Sequence, residues 1–373
     1  MSGLPLSPAG TVTVFEALQH LRDPRGKKHD QAFVLCGVIL ALMVGRSRVS
    51  AIHRFLHNRF GWLRDTTHVA VERCISRAHL PRLLARVDWE ALNTLIGPHC
   101  GVRVEAEAGE WIAVDGKALR GSPGEQVILA RTHQSGRILA HQKLTGPKRS
   151  EVTAVRALLA QPPLHGRKVT LDAGHCNPLT TAQIEQAQGG YVVQGKANQP
   201  TVLAAVHTLV ATAPSLGTLP NVDKAHGRLE ERHATFFSLA DLPLPPRWQA
   251  SGLRHVIRVD RTTKQLKTAK RSQAVAYYLT NQAATTPPAQ ADLFTAIRAH
   301  WGCEADHWIR DVTLQEDQIH VAQPTQAHVL GALRTLVLGL FRHAGVSNMR
   351  AMLDTLADVP SLFTQLLCQV GFL

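Results

Sequence analysis

Paired cysteines are missing from this sequence. Its six cysteines, Cys36, Cys74, Cys100, Cys176, Cys303 and Cys368, lie far apart with no CxxC spacing. That argues against a disulfide framework and a zinc ribbon, and fits a reducing compartment. An apolar run long enough to span a bilayer is also missing. The most apolar stretch, AFVLCGVILALMVG from Ala32 to Gly45, has 14 residues, where a spanning helix needs about 20. It reads as a buried core helix. Met1 to Leu18 has no basic start followed by an apolar run, so no secretory leader is expected and a cytoplasmic protein is. No internal repeat is found, and no low-complexity segment long enough to matter. Acidic residues are the last shortage: 28 Asp and Glu stand against 41 Lys and Arg, a net charge of +13.

What is present suits a folded protein. The chain has 373 residues, enough for two or three domains at roughly 100–200 residues each. Hydrophobic residues make up 45% and charged residues 18%, ordinary values for a globular chain. The excess Lys and Arg are spread along the whole length, so nucleic acid is the first candidate partner. Charge alone specifies neither sequence recognition nor chemistry.

Residues 14–100 read as helical, because apolar residues recur at spacings of three and four. Val14 to Leu21 is amphipathic, the segment from Asp23 to Asp30 breaks the pattern, and the apolar helix follows. Ser50 to Phe60 is helical, and so is Val69 to Ile96, with a break near Pro81. At Glu110 the period changes. Trp111 to Lys117 (WIAVDGK) reads as a buried strand. QVILARTH and RILAHQKL flank Gln134-Ser135-Gly136 as a hairpin. Ser150 to Leu159 reads as a helix capped by Ser150. Lys168 to Gly174 (KVTLDAG) is a strand, Pro178 to Ala187 a helix and Gly190 to Lys196 a strand. Strand, hairpin, helix, strand, helix, strand implies an α/β domain with a mixed sheet. Beyond it, ATFFSL, HVIRVD and AVAYYLTN read as strands, separated by the Pro-rich LPLPPR and the basic RTTKQLKTAKR. From Asp292 onward the chain is helical again, including Gln326 to His343.

Two aspartates end apolar strands, Asp115 and Asp172. Such residues stand at the carboxyl edge of a sheet, where open α/β sheets keep their sites. Taken singly, each reads as a turn cap. As a neighbouring pair they repel unless a cation lies between them, and carboxylate oxygens suit Mg²⁺. A third acid, Glu304, lies on a helix in IRAHWGCEADHWIRDVTLQED (Ile297 to Asp317), with His300 four residues before it and His307 three after. Those spacings share one helix face, and Arg310 lies at its edge. Trp301 and Trp308 either pack in the core or stack on a base. Lys117 and Arg120, and His226 and Arg228 further on, are candidate phosphate contacts. Lys196 and Asn198 are weaker ones.

The motifs WIAVDGKALRGS, VTLDAGHCN, YVVQGKANQP, DKAHGRLEER, AYYLTN and IRAHWGCEADHWIRDVTLQED occur in this order. The set resembles the DDE transposases of bacterial insertion sequences, in the subgroup that includes the H-repeat-associated proteins. LRDPRGKKHDQAFVLCGVILALMVGRSRVSAIHRF, near the start, is similar to the helical domain associated with that subgroup. The resemblance implies an α/β fold with an RNase H-like catalytic core (residues 105–373), a β-rich insertion at 201–285, and an all-α N-terminal domain (residues 1–104). It implies a catalytic and metal-binding triad of Asp115, Asp172 and Glu304, separated by 57 and 132 residues, with Mg²⁺ or Mn²⁺ as cofactor. It further implies metal-dependent DNA cleavage and strand transfer at insertion-sequence ends, by a homodimer on double-stranded DNA in the nucleoid. Lys117, Arg120, His226, Arg228, His300, His307 and Arg310 are the expected DNA contacts. The run after Asp172, Ala-Gly-His-Cys-Asn, departs from the commoner Ala-Leu-His-Thr-Gln type and keeps its histidine at His175. Three other readings stand beside this one: an RNase H-like nuclease without strand transfer, an inactive or host-adopted DNA-binding protein, and a zinc protein using His300, Cys303 and His307 with His175 and Cys176.

Overall fold

The computed structural model describes residues 12–23, 29–100, 109–144, 150–162, 164–225, 227–240 and 244–373. Six helices come first: α1 (Val14–Gln19), α2 (Gln31–Met43), α3 (Val49–Asn58), α4 (Phe60–Thr67), α5 (His79–Leu84) and α6 (Trp89–Ile96). Thr13 and Glu16 cap α1 reciprocally, satisfying two otherwise orphaned backbone amides. Asp30 starts α2 by accepting a hydrogen bond from the Phe33 amide at 2.7 Å. Every residue of α2 is buried. A helix apolar all round must be covered on every side, and α1, α3, α4 and the later helix over Pro324–His343 provide that cover.

An α/β region follows. It runs β1 (Ile112–Ala118), β2 (Gln126–Thr132), β3 (Ile138–Lys143), α7 (Glu151–Leu159), β4 (Lys168–Leu171), α8 (Pro178–Gln186), β5 (Gly190–Gly195), α9 (Pro200–Thr212), β6 (Gly217–Ala225), β7 (Arg228–Ser238), β8 (His255–Gln265) and β9 (Arg271–Thr280). The nine strands form one sheet in the order β3-β2-β1-β4-β5-β9-β8-β7-β6. β1, β2 and β3 are antiparallel, β4 and β5 run parallel to β1, and the remaining four strands are antiparallel. α7, α8 and α9 cover one face around Val114, Leu171 and Val193. On the other face α10 (Pro287–Ala299) packs on Trp111, Val192, Phe236 and Ile257.

The expected elements between 110 and 200 are all present in their expected order. Ser150 caps α7 by accepting from the Thr153 amide. β6 departs from the sequence reading, which has no strand there. Its sequence GTLPNVDKA is poor in strand formers, but an edge strand tolerates proline and β6 is the edge. The basic RTTKQLKTAKR is a second departure, since it extends β8 and turns into β9.

The chain ends with α11 (Gly302–Trp308), a π-helical turn (Ile309–Thr313), α12 (Pro324–His343), α13 (Met349–Asp358) and α14 (Pro360–Gln369). Side chains of α12 to α14 share one core with Val14, Leu35 and Leu92. The Val14 and Phe15 amides donate to the Gly371 and Phe372 carbonyls, each at 3.0 Å. By packing, residues 324–373 therefore complete the N-terminal helical core, although in sequence they follow the sheet.

Candidate active site

The register places Asp115 and Asp172 together. Ile112, Ala113 and Val114 of β1 pair with Val169, Thr170 and Leu171 of β4, so the next residue on each strand is an aspartate. β1 continues to Ala118 because its pairing with β2 continues. Asp115 thus stands inside the strand rather than at its end, at the level where the parallel pairing stops. Asp172 caps the turn after β4, its Oδ1 accepting from the Gly174 amide at 2.9 Å. Asn198 Nδ2 holds that turn through the Ala173 carbonyl at 2.7 Å. Burial, then the nearby Asp172 charge, push the Asp115 carboxyl up to about 6, against a hydrogen bond from the Gly116 amide. Glu151 adds to the rise.

Glu151 is the acid that sequence reasoning missed. It opens α7, and its carboxylate lies against Gly116: a Cβ there would come within 2.4 Å of Glu151 Cδ. The buried His175 has its Nε2 3.0 Å from Glu151 Oε1 and 3.7 Å from Asp172 Oδ1. A glycine in a strand interior is a sequence signal of such a close approach.

α11 packs against β1 and carries Glu304 on its exposed side. Trp301 and Trp308, three residues before Glu304 and four after, share its face and are 55% and 59% exposed. That decides their alternative against core packing. His300 and His307 turn the other way. His300 Nδ1 meets Thr170 Oγ1 at 2.9 Å, and His133 Nε2 meets the same hydroxyl at 2.9 Å. His307 Nδ1 lies 3.7 Å from Asp115 Oδ2. Burial, with Arg310 and Lys117 nearby, lowers His307 to about 3, and burial lowers His300 too. His307 is therefore neutral near pH 7, and its contact with Asp115 is not an ion pair. Neither histidine fits the expected role of a cation on phosphate.

Two other expected phosphate contacts are corrected. Arg310 is fully buried, and its guanidinium grips Glu316 through two contacts of 2.9 Å. Lys117 is almost fully buried and pairs with Asp311, with Asp317 at 3.5 Å and with Glu316 at 3.8 Å. Arg310 braces the segment after α11 internally, and Lys117 ties that segment to β1. Asp306 does the same from α11, between Arg131 of β2 at 2.8 Å and Arg342 of α12 at 2.9 Å. Arg120 stays largely exposed, 3.6 Å from Asp317. Arg228 pairs with Glu230 at 3.1 Å on β7, five strands from β1, or about 24 Å. His226 lies outside the described residues.

Asp115, Asp172 and Glu151 offer hard oxygen donors, which suit Mg²⁺ rather than zinc. Among the described residues, no three His, Cys, Asp or Glu side chains form a group that could hold a metal ion as they stand. The structure brings Asp115 and Asp172 together and leaves Glu304 apart on the exposed side of α11. The zinc reading has no ligand cluster behind it either: His300 is bound to Thr170, and Cys303 is buried with its thiol pushed up by that burial. Among the described residues, no helix is long and apolar enough to cross a membrane.

An all-helical N-terminal region joined to a mixed α/β sheet with two neighbouring aspartates is the arrangement that the resemblance to DDE transposases implies. Comparison with known proteins agrees. Residues 12–100 match the family described as DDE_Tnp_1-associated. The chain is 25% identical over 340 residues to "Putative transposase YncI" of Escherichia coli O157:H7, covering 86% of this chain and 84% of that one. It is 25% identical over 244 residues to "H repeat-associated putative transposase YhhI" of Escherichia coli K12, covering 61% and 63%. The "Uncharacterized protein in dhlA 3'region" of Xanthobacter autotrophicus is 27% identical over 252 residues, covering 64% and 84%. These similarities support a DDE transposase of the H-repeat-associated group.

Proposed function

We propose that this protein cleaves DNA at insertion-sequence ends and joins the freed 3′ end to target DNA, using Asp115, Asp172 and Glu304 as its catalytic carboxylates. The observation that carries the reading is the placement of Asp115 and Asp172 side by side where β1 and β4 part. The order β3-β2-β1-β4-β5, with the first three strands antiparallel and the last two parallel to β1, supports an RNase H-like core. Residues 201–285 are then the β-rich insertion, since β6 to β9 extend the same sheet.

Asp115 and Asp172 would hold a divalent cation, with Glu304 as the further carboxylate. Mg²⁺ or Mn²⁺ would supply the positive charge that activates an attacking oxygen and stabilises a leaving one. The nearby Asp172 charge opposes ionisation of the Asp115 carboxyl, which favours binding a cation between them. His175, hydrogen-bonded to Glu151 at 3.0 Å, lies 3.7 Å from Asp172 and lines the site beside it. Trp301 and Trp308 flank Glu304 with exposed rings on which DNA bases can stack. The net charge of +13 suits a phosphate backbone. Pairing two transposon ends calls for a dimer on DNA.

The test is incubation of the protein with its flanking terminal repeat and Mg²⁺, beside Asp115→Asn and Glu304→Ala. The parent should nick at the repeat, while both variants bind DNA without cutting it. A parent that binds the repeat and leaves it intact overturns the reading. Capture of the cut end in a target plasmid separates a transposase from a nuclease that only hydrolyses.

A further inference from the structure

The outer ends of β6 to β9 project beyond the cores, with exposed residues on both faces of the sheet. The register lines up one row across all four strands. Lys224 of β6 faces Leu229 of β7, Leu229 faces Lys264 of β8, and Lys264 faces Arg271 of β9. Directly opposed residues point to the same face of a sheet, so Lys224, Lys264 and Arg271 form a cationic row on one face. Lys267 and Lys270, in the turn between β8 and β9, extend it. The Leu266 amide donates to the Gly227 carbonyl at 2.8 Å, which pins the two hairpin tips together.

Like charges directly opposed across strands are destabilising, and Lys264 faces Arg271 with nothing between. The acids at this end of the sheet do not relieve them. Asp223 and Glu230 face each other in the adjacent row, on the opposite side. There Asp223 is held by Arg232 at 2.8 Å and Arg298 at 2.6 Å, and Glu230 by Arg228 at 3.1 Å and by Arg232. Glu231, one row inward on the cationic face, is a single acid beside several cations. Among the described residues none of the five cations has an acidic partner within salt-bridge distance.

We infer that the tip of the β6–β9 extension, through Lys224, Lys264 and Arg271, is a docking surface for the phosphate backbone of duplex DNA, separate from the carboxylate site. The row spans three strand spacings, about 14 Å. Duplex DNA carries one charge per about 1.7 Å of axis, so the row passes several phosphates, and their charge offsets the repulsion within it. Both hairpins present side chains from rigid paired strands, which favours positioning the backbone over reading bases. The inference rests on DNA being the substrate.

The test uses the full chain carrying Asp115→Asn, so that binding is measured without cutting. A labelled mixed-sequence DNA duplex is titrated at several salt concentrations, with and without Lys224→Gln, Lys264→Gln and Arg271→Gln together. Each lost phosphate contact lowers the slope of log affinity against log salt by about 0.9. The triple variant should therefore lose about 2.7 from that slope and bind roughly tenfold or more weakly at ~0.1 M salt. A Lys264→Gln single variant should lose about one third of the change, and equal thermal melts would show that both variants fold. An unchanged slope in the triple variant overturns the inference and leaves the proposed function standing. Loss for duplex RNA but not for DNA also overturns it. A parent that binds no DNA overturns the inference and the proposed function together.

Discussion

Replacing Asp115 by Asn should stabilise the protein at neutral pH and leave it unchanged in acid. Asp115 is 21% exposed, and burial and its acidic neighbours raise its carboxyl from 3.8 to about 6. At 1.36 kcal/mol per pH unit, that rise corresponds to about 3 kcal/mol. Because the folded value is the higher one, the folded state binds the proton more tightly. The stabilisation is fully present below pH ~4 and is lost as pH rises through about 6. At pH 8 the parent carries the whole cost of a charged Asp115, and Asp115→Asn carries none of it. Asparagine accepts the Gly116 hydrogen bond less strongly than a carboxylate, which reduces the expected gain to about 2 kcal/mol. For a chain of this size that is a Tm rise of about 4 °C. The assay is thermal unfolding of both proteins from pH 4 to 8 without divalent cations. The Tm difference should open between pH ~4 and ~6 and then stay level. A difference independent of pH, or a variant less stable than its parent at pH 8, would refute the argument that Asp115 is held against repelling charges. Added Mg²⁺ should raise the Tm of the parent alone.

Arg310→Ala should cost about 3–5 kcal/mol in denaturant unfolding, because it leaves the fully buried Glu316 without its main partner. Burial pushes the Glu316 carboxyl up, but Arg310 and Arg334 outweigh it and bring the carboxyl down to about 2. The parent should therefore keep this stability above pH ~4.5 and lose it as pH falls towards 2, and the variant should unfold in acid at a higher pH. Gly116→Ala would set a methyl group against the Glu151 carboxylate and should cost about 1 kcal/mol by the same assay; adding Glu151→Ala should recover most of that, as contacting residues couple. Trp301→Ala and Trp308→Ala should leave stability within about 0.5 kcal/mol of the parent, since both rings are exposed. Each should weaken binding of single-stranded or frayed DNA ends by roughly 1–3 kcal/mol in a fluorescence titration, the usual worth of a base stack. Unchanged binding would put the rings outside the DNA path.

Much of the architecture could be read from spacing. Helical period marked α1, α2, α3, α5 and α6, but it assigned no helix at α4 and read residues 69–78, which are irregular, as helical; the unbroken apolar run of α2 announced a helix covered on all sides. Short apolar runs marked β1, β4 and β5, and the two aspartates that follow Val114 and Leu171 proved to be neighbours in register. β6 was hidden because edge strands tolerate proline and polar residues, which erases the alternation that betrays a strand. Arg310 and Lys117 look like DNA contacts in the sequence, since charge is the visible property and burial is not. Glu151 gave no sign of its role beyond a glycine in the facing strand, because the helix carrying it reaches the site only through packing.

The order of the chain alone determined the elements, the basic balance and the two strand-borne aspartates, because these depend on local periodicity and composition. Tertiary packing decided which charges face water and which neutralise each other inside. It set Glu151 against Gly116, put Arg310 on Glu316, and gathered Lys224, Lys264 and Arg271 into one row. The physical reason is that desolvation and pairing depend on distance through space, and residues as separate in sequence as Gly116 and Glu151, or Leu229 and Lys264, become neighbours only once the sheet and its helices have closed.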